Sequence, residues 1–319
     1  MPRVLVTGAS GFVGSILCPI LAQAGYTVRA AVRAGKPTPA AAEHVTVGEI
    51  NGHTGWSEAL RDVELVIHLA ARAHVLNDAA EGARLYAETN SGGTQCLAAQ
   101  SARHGVRRFV FLSSVKVNGE ESAERPYAAG DEARPQDAYG RSKWLAEQHL
   151  WETVANAAMQ AAVVRSPLVY GPGVRANFLR LLRWVDQGRL LPLGAIRNQR
   201  SLISVWSLCD VLIRLLDHPA ATGRTWMVSD GQDISTPELV RRIASTMGRR
   251  PMLLSVPVPL LRVAGAFLGK GAELRRLCGS LTVDIAPTCE RLDWSPPLSM
   301  DEALARTVGW YLSQAQLLR

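Results

Sequence analysis

Thr7-Gly8-Ala9-Ser10-Gly11-Phe12-Val13-Gly14 is the stretch that decides how this 319-residue chain folds. It follows the short apolar run Arg3 to Val6 and opens a helix-patterned segment, so three glycines stand at a strand-to-helix turn in the spacing Gly-x-x-Gly-x-x-Gly. Gly8 permits the tight turn, Gly11 lets backbone approach a pyrophosphate, and Gly14 allows close packing of helix on strand. Together with Ser10, Phe12 and Val13, the loop would turn the amides of a helix N-terminus toward an anion. A glycine pattern alone is weak; set between a strand and a helix, it points to a dinucleotide.

Outward from the loop, β-branched apolar runs alternate with helical stretches. Strands are expected at Arg3 to Thr7, Thr27 to Val32, His44 to Val47, Leu65 to Leu69, Arg108 to Ser113 and Ala161 to Ser166. Helices are expected near Gly11 to Ala24, Gly55 to Leu60, Gly82 to His104 and Ala138 to Ala158. This alternation defines an α/β chain with a Rossmann-type, doubly wound parallel sheet. After Pro167 prolines multiply and the rhythm loosens. Ser201 to Val205, a helix to about Asp217 and the strand Thr225 to Ser229 are expected to be late additions to the same sheet. The rest is expected to form a smaller, discontinuous C-terminal α/β substrate domain. The expected division is 1–166 plus about 201–231 for the dinucleotide, and about 167–200 plus 232–319 for the substrate.

Composition narrows the classes. Apolar residues make up 47% and charged residues 20%, as in ordered globular proteins. The start of the chain lacks signal-peptide architecture, and no window approaches the roughly 20 apolar residues that span a bilayer. The apolar segment Leu253 to Leu268 is cut by Pro257, Pro259 and Arg262, and is expected to be core or subunit interface ahead of membrane contact. Five cysteines without paired or metal-knuckle spacing suit a reducing cytoplasm and suggest no metal. The net charge of +7 raises nucleic acid as a partner, but the arginines are dispersed and aromatics reach only 6%. A small polyanion such as a nucleotide diphosphate is the more economical partner.

Two further features carry chemistry. At the end of the second strand, where an acid would bond the ribose hydroxyls of NAD, the chain has Val32-Arg33. A guanidinium there suits a 2′-phosphate, so NADP(H) is expected, with NAD(H) as the outcome if Arg33 is merely solvated. Only four lysines occur, yet Lys143 lies four residues after Tyr139 in Tyr139-Gly140-Arg141-Ser142-Lys143. On a helix these two share a face, where an ammonium would favour phenolate and fit the tyrosine for proton transfer. Spacing alone leaves a solvated helix face equally open.

Taken together, the glycine loop, Asn90-Ser91-Gly92-Gly93-Thr94, Ser113-Ser114 and the Tyr139-Lys143 run resemble the extended short-chain dehydrogenase/reductase superfamily, in its NAD-dependent epimerase/dehydratase branch. The resemblance implies that Ser114 and Tyr139 hold a substrate oxygen, and that Lys143 anchors the nicotinamide ribose and lowers the tyrosine pKa. Ser114 is preferred to Ser113 by counting back from Val117-Asn118-Gly119, with Ser113 as the alternative. Asn90 would support the active-site helix. Glu49-Ile50 would contact adenine, Leu69-Ala70-Ala71 would line the cofactor cleft, and Pro167 with Val169 would cover the nicotinamide. His68 would be a satisfied histidine beside the sheet. Asn177, Pro192 and Arg200 fall at segments that touch the nucleotide diphosphate of a UDP-sugar.

The same resemblance bears on the reaction. Dehydratases of this branch carry an Asp-Glu pair after the catalytic serine or threonine; here Val115 and Lys116 stand instead, which disfavours elimination. Ser113 to Glu120, Ser229 to Thr236 and Gly279 to Asp284 look like the bacterial UDP-N-acetylquinovosamine dehydrogenases. They imply 4-keto reduction of a UDP-2-acetamido-2,6-dideoxy-hexos-4-ulose for O-antigen synthesis. Lys116 would then meet either substrate or solvent. The alternatives are a UDP-hexose 4-epimerase with tightly bound NAD and a non-catalytic NADP(H)-sensing protein. A homodimer through the Gly82 to His104 and Ala138 to Ala158 helices is also expected.

Overall fold

Ten strands and eleven α-helices are found among the described residues, which in this computed structural model are 1–40, 42–73, 79–122, 124–267, 269 and 271–317. The strands are β1 Arg3–Thr7, β2 Thr27–Arg33, β3 Glu43–Val47, β4 Leu65–His68, β5 Arg108–Ser114, β6 Gln160–Ser166, β7 Leu168–Tyr170, β8 Arg200–Ser204, β9 Arg224–Met227 and β10 Asp233–Ile234. The helices are α1 Phe12–Gln23, α2 Ala79–Tyr86, α3 Gly93–Arg103, α4 Ala138–Ala155, α5 Ala176–Asp186, α6 Val205–Asp217, α7 Thr236–Thr246, α8 Val258–Phe267, α9 Gly271–Cys278, α10 Ala286–Leu292 and α11 Met300–Leu317.

Seven strands form one parallel sheet in the order β3-β2-β1-β4-β5-β6-β9. Both faces are covered, so the strands read as continuous apolar runs. Alternation divides them between two cores. Val4 and Val6 pack with Leu17 and Leu21 of α1 and with Leu208 and Leu212 of α6. Leu5, Phe109 and Phe111 point the other way, onto Leu97 of α3 and Leu150 of α4. A third core, with Tyr170, Phe178, Leu182, Val240 and Leu304, gathers α5, α7 and α11.

Strand order reverses between β1 and β4, and at such a switch point the C-terminal strand ends open a crevice. Thr7 aligns with His68, His68 with Phe111, and Ser114 with Ser166. The glycine loop, the end of β4, Ser114 and Pro167 therefore share one edge of the sheet.

The structure corrects the sequence reading in four places. β8 does not join the large sheet: it pairs in parallel with β7 and antiparallel with β10, making a separate sheet β10-β8-β7. The chain leaves the large sheet at Pro167, which has no N–H to continue the ladder, whereas β9 returns to pair with β6. Gly55 to Leu60 forms turns, with the Leu60 amide bonded to the Trp56 carbonyl at 2.8 Å. The helix expected over Gly82 to His104 is interrupted by a π-helical segment, Ala87–Gly92, between α2 and α3. Finally, of core or subunit interface, the two outcomes expected for Leu253 to Leu268, core is not met over much of the segment: Leu254, Leu260, Val263 and Phe267 are exposed, while Leu268 lies outside the described residues.

Candidate active site and cofactor cleft

Gly8 adopts φ +68°, and a Cβ there would lie 2.8 Å from the Ala70 amide nitrogen, so the loop and the end of β4 meet only through glycine. At Gly14 a Cβ would sit 2.4 Å from the Gly8 carbonyl oxygen, which is why α1 can lie so close to β1. The N-terminus of α1 has no side-chain cap and no acid in its first turn. Its free amides and positive dipole end suit a phosphate, so the residues present fit a dinucleotide. Leu69 and Ala70 are half-buried beside this loop.

His68 is buried with both ring nitrogens occupied, Nδ1 by Thr7 Oγ1 at 2.6 Å and Nε2 by Thr94 Oγ1 at 3.0 Å. Burial, reinforced by the Lys143 ammonium, pushes its pKa down to about 3. It is a neutral structural residue stacked on Phe111, as the sequence reading expects.

Three elements build the reactive corner. β5 ends at Ser114, whose side chain accepts a hydrogen bond from the Lys116 amide at 3.3 Å and lies at the Tyr139 phenol, where it favours ionisation. Ser113 points the opposite way, into the core, and donates to Glu147. The alternation of strand side chains thus separates the two serines, leaving Ser114 with the tyrosine. α4 starts on Asp137, whose carboxylate accepts from the Gly140 amide at 2.7 Å. A Cβ at Gly140 would approach the Lys116 carbonyl oxygen to 2.7 Å, so this glycine lets the helix reach the Ser114 turn. Tyr139 also meets the edge of Tyr86, with ring centroids 5.8 Å apart.

Asn90, in the π segment, is 1% exposed and ties the cleft to α4. Its amide donates to Ser142 Oγ at 2.9 Å and to the Arg72 carbonyl at 3.0 Å, and its oxygen accepts from the Arg72 amide at 2.8 Å. Ser142 in turn donates to the Tyr139 carbonyl at 2.7 Å.

Lys143 is 2% exposed and lies with its ammonium 4.1 Å from the centroid of the Phe111 ring. It has no hydrogen bond or ion pair among the described residues, which makes it a buried donor suited to hydroxyls of a bound cofactor. Burial pushes its pKa down to about 7, although Glu147 opposes this. Burial and the neighbouring Asp137 carboxylate push the Tyr139 phenol up to about 12, against a hydrogen bond from Ser114. The Lys143 ammonium faces Phe111, and its charge is itself disfavoured by burial.

A stability prediction follows from Lys143. With the folded pKa near 7 and the unfolded value at 10.5, the unfolded chain binds the extra proton between those limits, so this group makes stability rise with pH across that window. Below about pH 7 both states are charged and the cost of burial is at its full size. Lys143→Met should stabilise the protein at pH 6 by about 1–3 kcal/mol, and the gain should shrink by pH 10. Urea unfolding at the two pH values measures this; an equal gain at both would refute the titration.

At the far end of the cleft, Arg33 is exposed and lies 3.6 Å from the Glu49 carboxylate, which Arg72 also grips at 3.1 Å. The sequence reading finds no carboxylate at this place. The register supplies one: Arg33 aligns with Val47, so Glu49 emerges from β3 beside the end of β2. Ile50 packs under the adjacent Gly93, whose Cβ would come within 2.6 Å of it.

On the opposite wall, Lys116 forms an ion pair with Asp137 and another with Glu120 at 3.2 Å, while its ammonium lies 6.0 Å from the Tyr139 ring centroid. Arg276 of α9 holds the second oxygen of Glu120 at 3.1 Å. Arg200 donates to the Arg276 carbonyl at 2.7 Å and the Gly279 carbonyl at 3.0 Å, and burial lowers its pKa. The structure thus joins Lys116 to Arg200 through Glu120 and Arg276, two residues the sequence reading passes over. Asn177 is exposed and accepts from Arg180 at 3.0 Å, and Pro192 is exposed; neither is linked to this chain of contacts. No metal-binding cluster occurs among the described residues, and the cysteines are free.

A Rossmann sheet whose glycine loop, buried lysine and serine–tyrosine pair meet at the switch point defines a nicotinamide-dinucleotide enzyme class, and the chain belongs to the NAD dependent epimerase/dehydratase family, whose pattern matches residues 4–229. It is 41% identical over 98% of its length to a UDP-glucose 4-epimerase of Vibrio cholerae, covering 96% of that protein. It is 25% identical, over 98% of its length and 96% of the other, to an Escherichia coli O157:H7 N-acetyl-alpha-D-glucosaminyl-diphospho-ditrans,octacis-undecaprenol 4-epimerase. Among solved structures, MoeE5 in complex with UDP-glucose and NAD matches with a TM-score of 0.80 and 26% identity, covering 99% of each chain. The UDP-glucuronic acid 4-epimerase of Bacillus cereus in complex with NAD has the same fold, with a TM-score of 0.80 at 20% identity over 99% of this chain and all of that one.

Proposed function

We propose that the protein is a UDP-sugar 4-epimerase that works with bound NAD(H). The observation that carries the reading is Ser114 at the Tyr139 phenol, with Lys143 one turn further along α4, buried and without a hydrogen bond or ion pair among the described residues. The 41% identity to a protein named a 4-epimerase favours this over the 4-keto reductase expected from sequence. When bound, the nicotinamide supplies reversible hydride acceptance at carbon 4. Tyr139 takes the proton of the 4-hydroxyl as the ketone forms, and gives it back to the same oxygen when carbon 4 regains the hydride on its opposite face. Ser114 orients the same oxygen, and Lys143 holds the ribose and supplies positive charge that lowers the phenol pKa once the site is filled. Gly8, Ser10, Gly11, Phe12, Val13 and Gly14 hold the pyrophosphate, with Asn90, Ala71, Pro167 and Val169 shaping the cleft. Arg200 and Lys116 face the sugar nucleotide, with Asn177 and Pro192 at its outer edge. The division into cofactor and substrate parts is retained in this proposal, with β8 assigned to the sugar side.

Incubation with UDP-glucose and no added reductant should yield UDP-galactose. Stoichiometric NADPH oxidation by a UDP-linked 4-keto sugar, with no such interconversion, would restore the reductase reading.

NAD is preferred to NADP because Glu49 already engages Arg33, the guanidinium that a 2′-phosphate would need. Glu49→Ala should therefore tighten NADPH binding relative to NADH by about fivefold. Dissociation constants for both cofactors decide it, and an unchanged ratio would remove Glu49 from the selection.

A further inference from the structure

Residues 249 to 276 hold six basic residues against one acid, Glu273, and so carry five of the chain's seven net positive charges. This same segment exposes its apolar side chains. On α8, Leu260, Val263 and Phe267 recur at helical spacing and are 61%, 54% and 88% exposed. They form one stripe, while Leu261 and Gly265 face inward. Gly265 is the contact with α9: a Cβ there would strike Leu274 at 2.2 Å. The stripe consequently points away from the protein. Just before α8, Leu191 and Leu253 form a parallel bridge, which turns the flanking Met252 and Leu254 outward, each 49% exposed. Arg250, Arg262 and Arg275 are exposed and form no ion pair among the described residues. An apolar stripe within a strongly basic segment is the composition that settles at the headgroup layer of an anionic bilayer, where aliphatic and aromatic side chains enter the acyl boundary and cations meet lipid phosphates. No helix among the described residues is long and apolar enough to cross a membrane, so the contact is a surface one.

We propose that the α8 face, with Met252 and Leu254, docks the protein on an anionic phospholipid surface. A second copy of the chain is the rival occupant; Arg250, Arg262 and Arg275 brought against their own copies make it the poorer fit. The proposal is independent of which sugar the site converts.

Co-sedimentation with vesicles of equal parts phosphatidylglycerol and phosphatidylcholine, and with pure phosphatidylcholine, tests it. Binding is expected only to the anionic vesicles and should weaken with salt. Phe267→Ser combined with Leu260→Ser should reduce partitioning by about tenfold while sugar-nucleotide turnover in solution and the unfolding midpoint stay unchanged. Arg262→Glu combined with Arg275→Glu should do the same. Absence of sedimentation, equal binding to both vesicle types, or a Phe267→Ser variant that alters only self-association by light scattering would overturn the proposal.

Discussion

Tyr139→Phe should lower turnover by about 10³-fold with the Michaelis constant changed no more than severalfold. The phenol is half-buried between Ser114, Tyr86 and the Lys116 ammonium, so loss of its oxygen leaves the ring packing in place and removes only the proton carrier. Ser114→Ala should be milder, because it removes an orienting hydroxyl and leaves the acid-base group. Initial rates for the two variants, compared with their far-UV spectra, measure the effect. A Tyr139→Phe enzyme retaining a tenth of the activity would move proton transfer to another group, and His68 is already unsuited to that role by its two occupied nitrogens.

Glu147→Ala should cost about 3–5 kcal/mol of stability, the second large effect expected. Glu147 is 1% exposed and lies one turn beyond Lys143 on α4. Its carboxylate accepts from Arg165 Nη2 at 2.6 Å and from Ser113, while Arg165 Nη1 donates to Asn118 at 3.1 Å. This cluster clamps α4 to β5 and β6 beneath the reactive corner. Removing the acid leaves the Arg165 guanidinium buried without its partner, whereas Glu147→Leu combined with Arg165→Leu should recover much of the loss because neither charge remains. Urea unfolding of the single and double variants checks the cycle. If the double variant were no more stable than the single, the cost would lie in packing and not in the orphaned charge.

How much could be read beforehand depends on whether the signal is local. β1 was legible at both ends because its apolar run stops at a glycine turn, and the edges of the other expected strands shifted by only one or two residues, whereas the two- and three-residue strands β10 and β7 were not expected. The π segment at Ala87–Gly92 was not legible, since no glycine or proline stands at its start to mark a break in the helical pattern. Ser114 came from the resemblance of Val117-Asn118-Gly119 to the run that family members carry after the serine, and strand alternation separates it from Ser113. What depends on register between distant segments was out of reach: Glu49 beside Arg33, Asp137 beside Lys116, and Arg276 beside Glu120. The placing of β8 failed for a similar reason. Its apolar sequence suits either sheet, and only the diversion of the chain at Pro167 selects the smaller one.

Asp230 has a mechanical consequence. The chain passes between the two sheets at Pro167, at the junction of β8 and α6, and in the stretch between β9 and β10. The buried Asp230 carboxylate accepts from the Tyr170 hydroxyl at 2.7 Å and from the Ser204 amide at 3.0 Å, so one side chain pins all three passages together. Sliding of one sheet over the other would break these bonds, while turning about the pin would keep them. The smaller sheet is thereby bolted at one point to three successive crossings of the chain and held against sideways travel over the larger one.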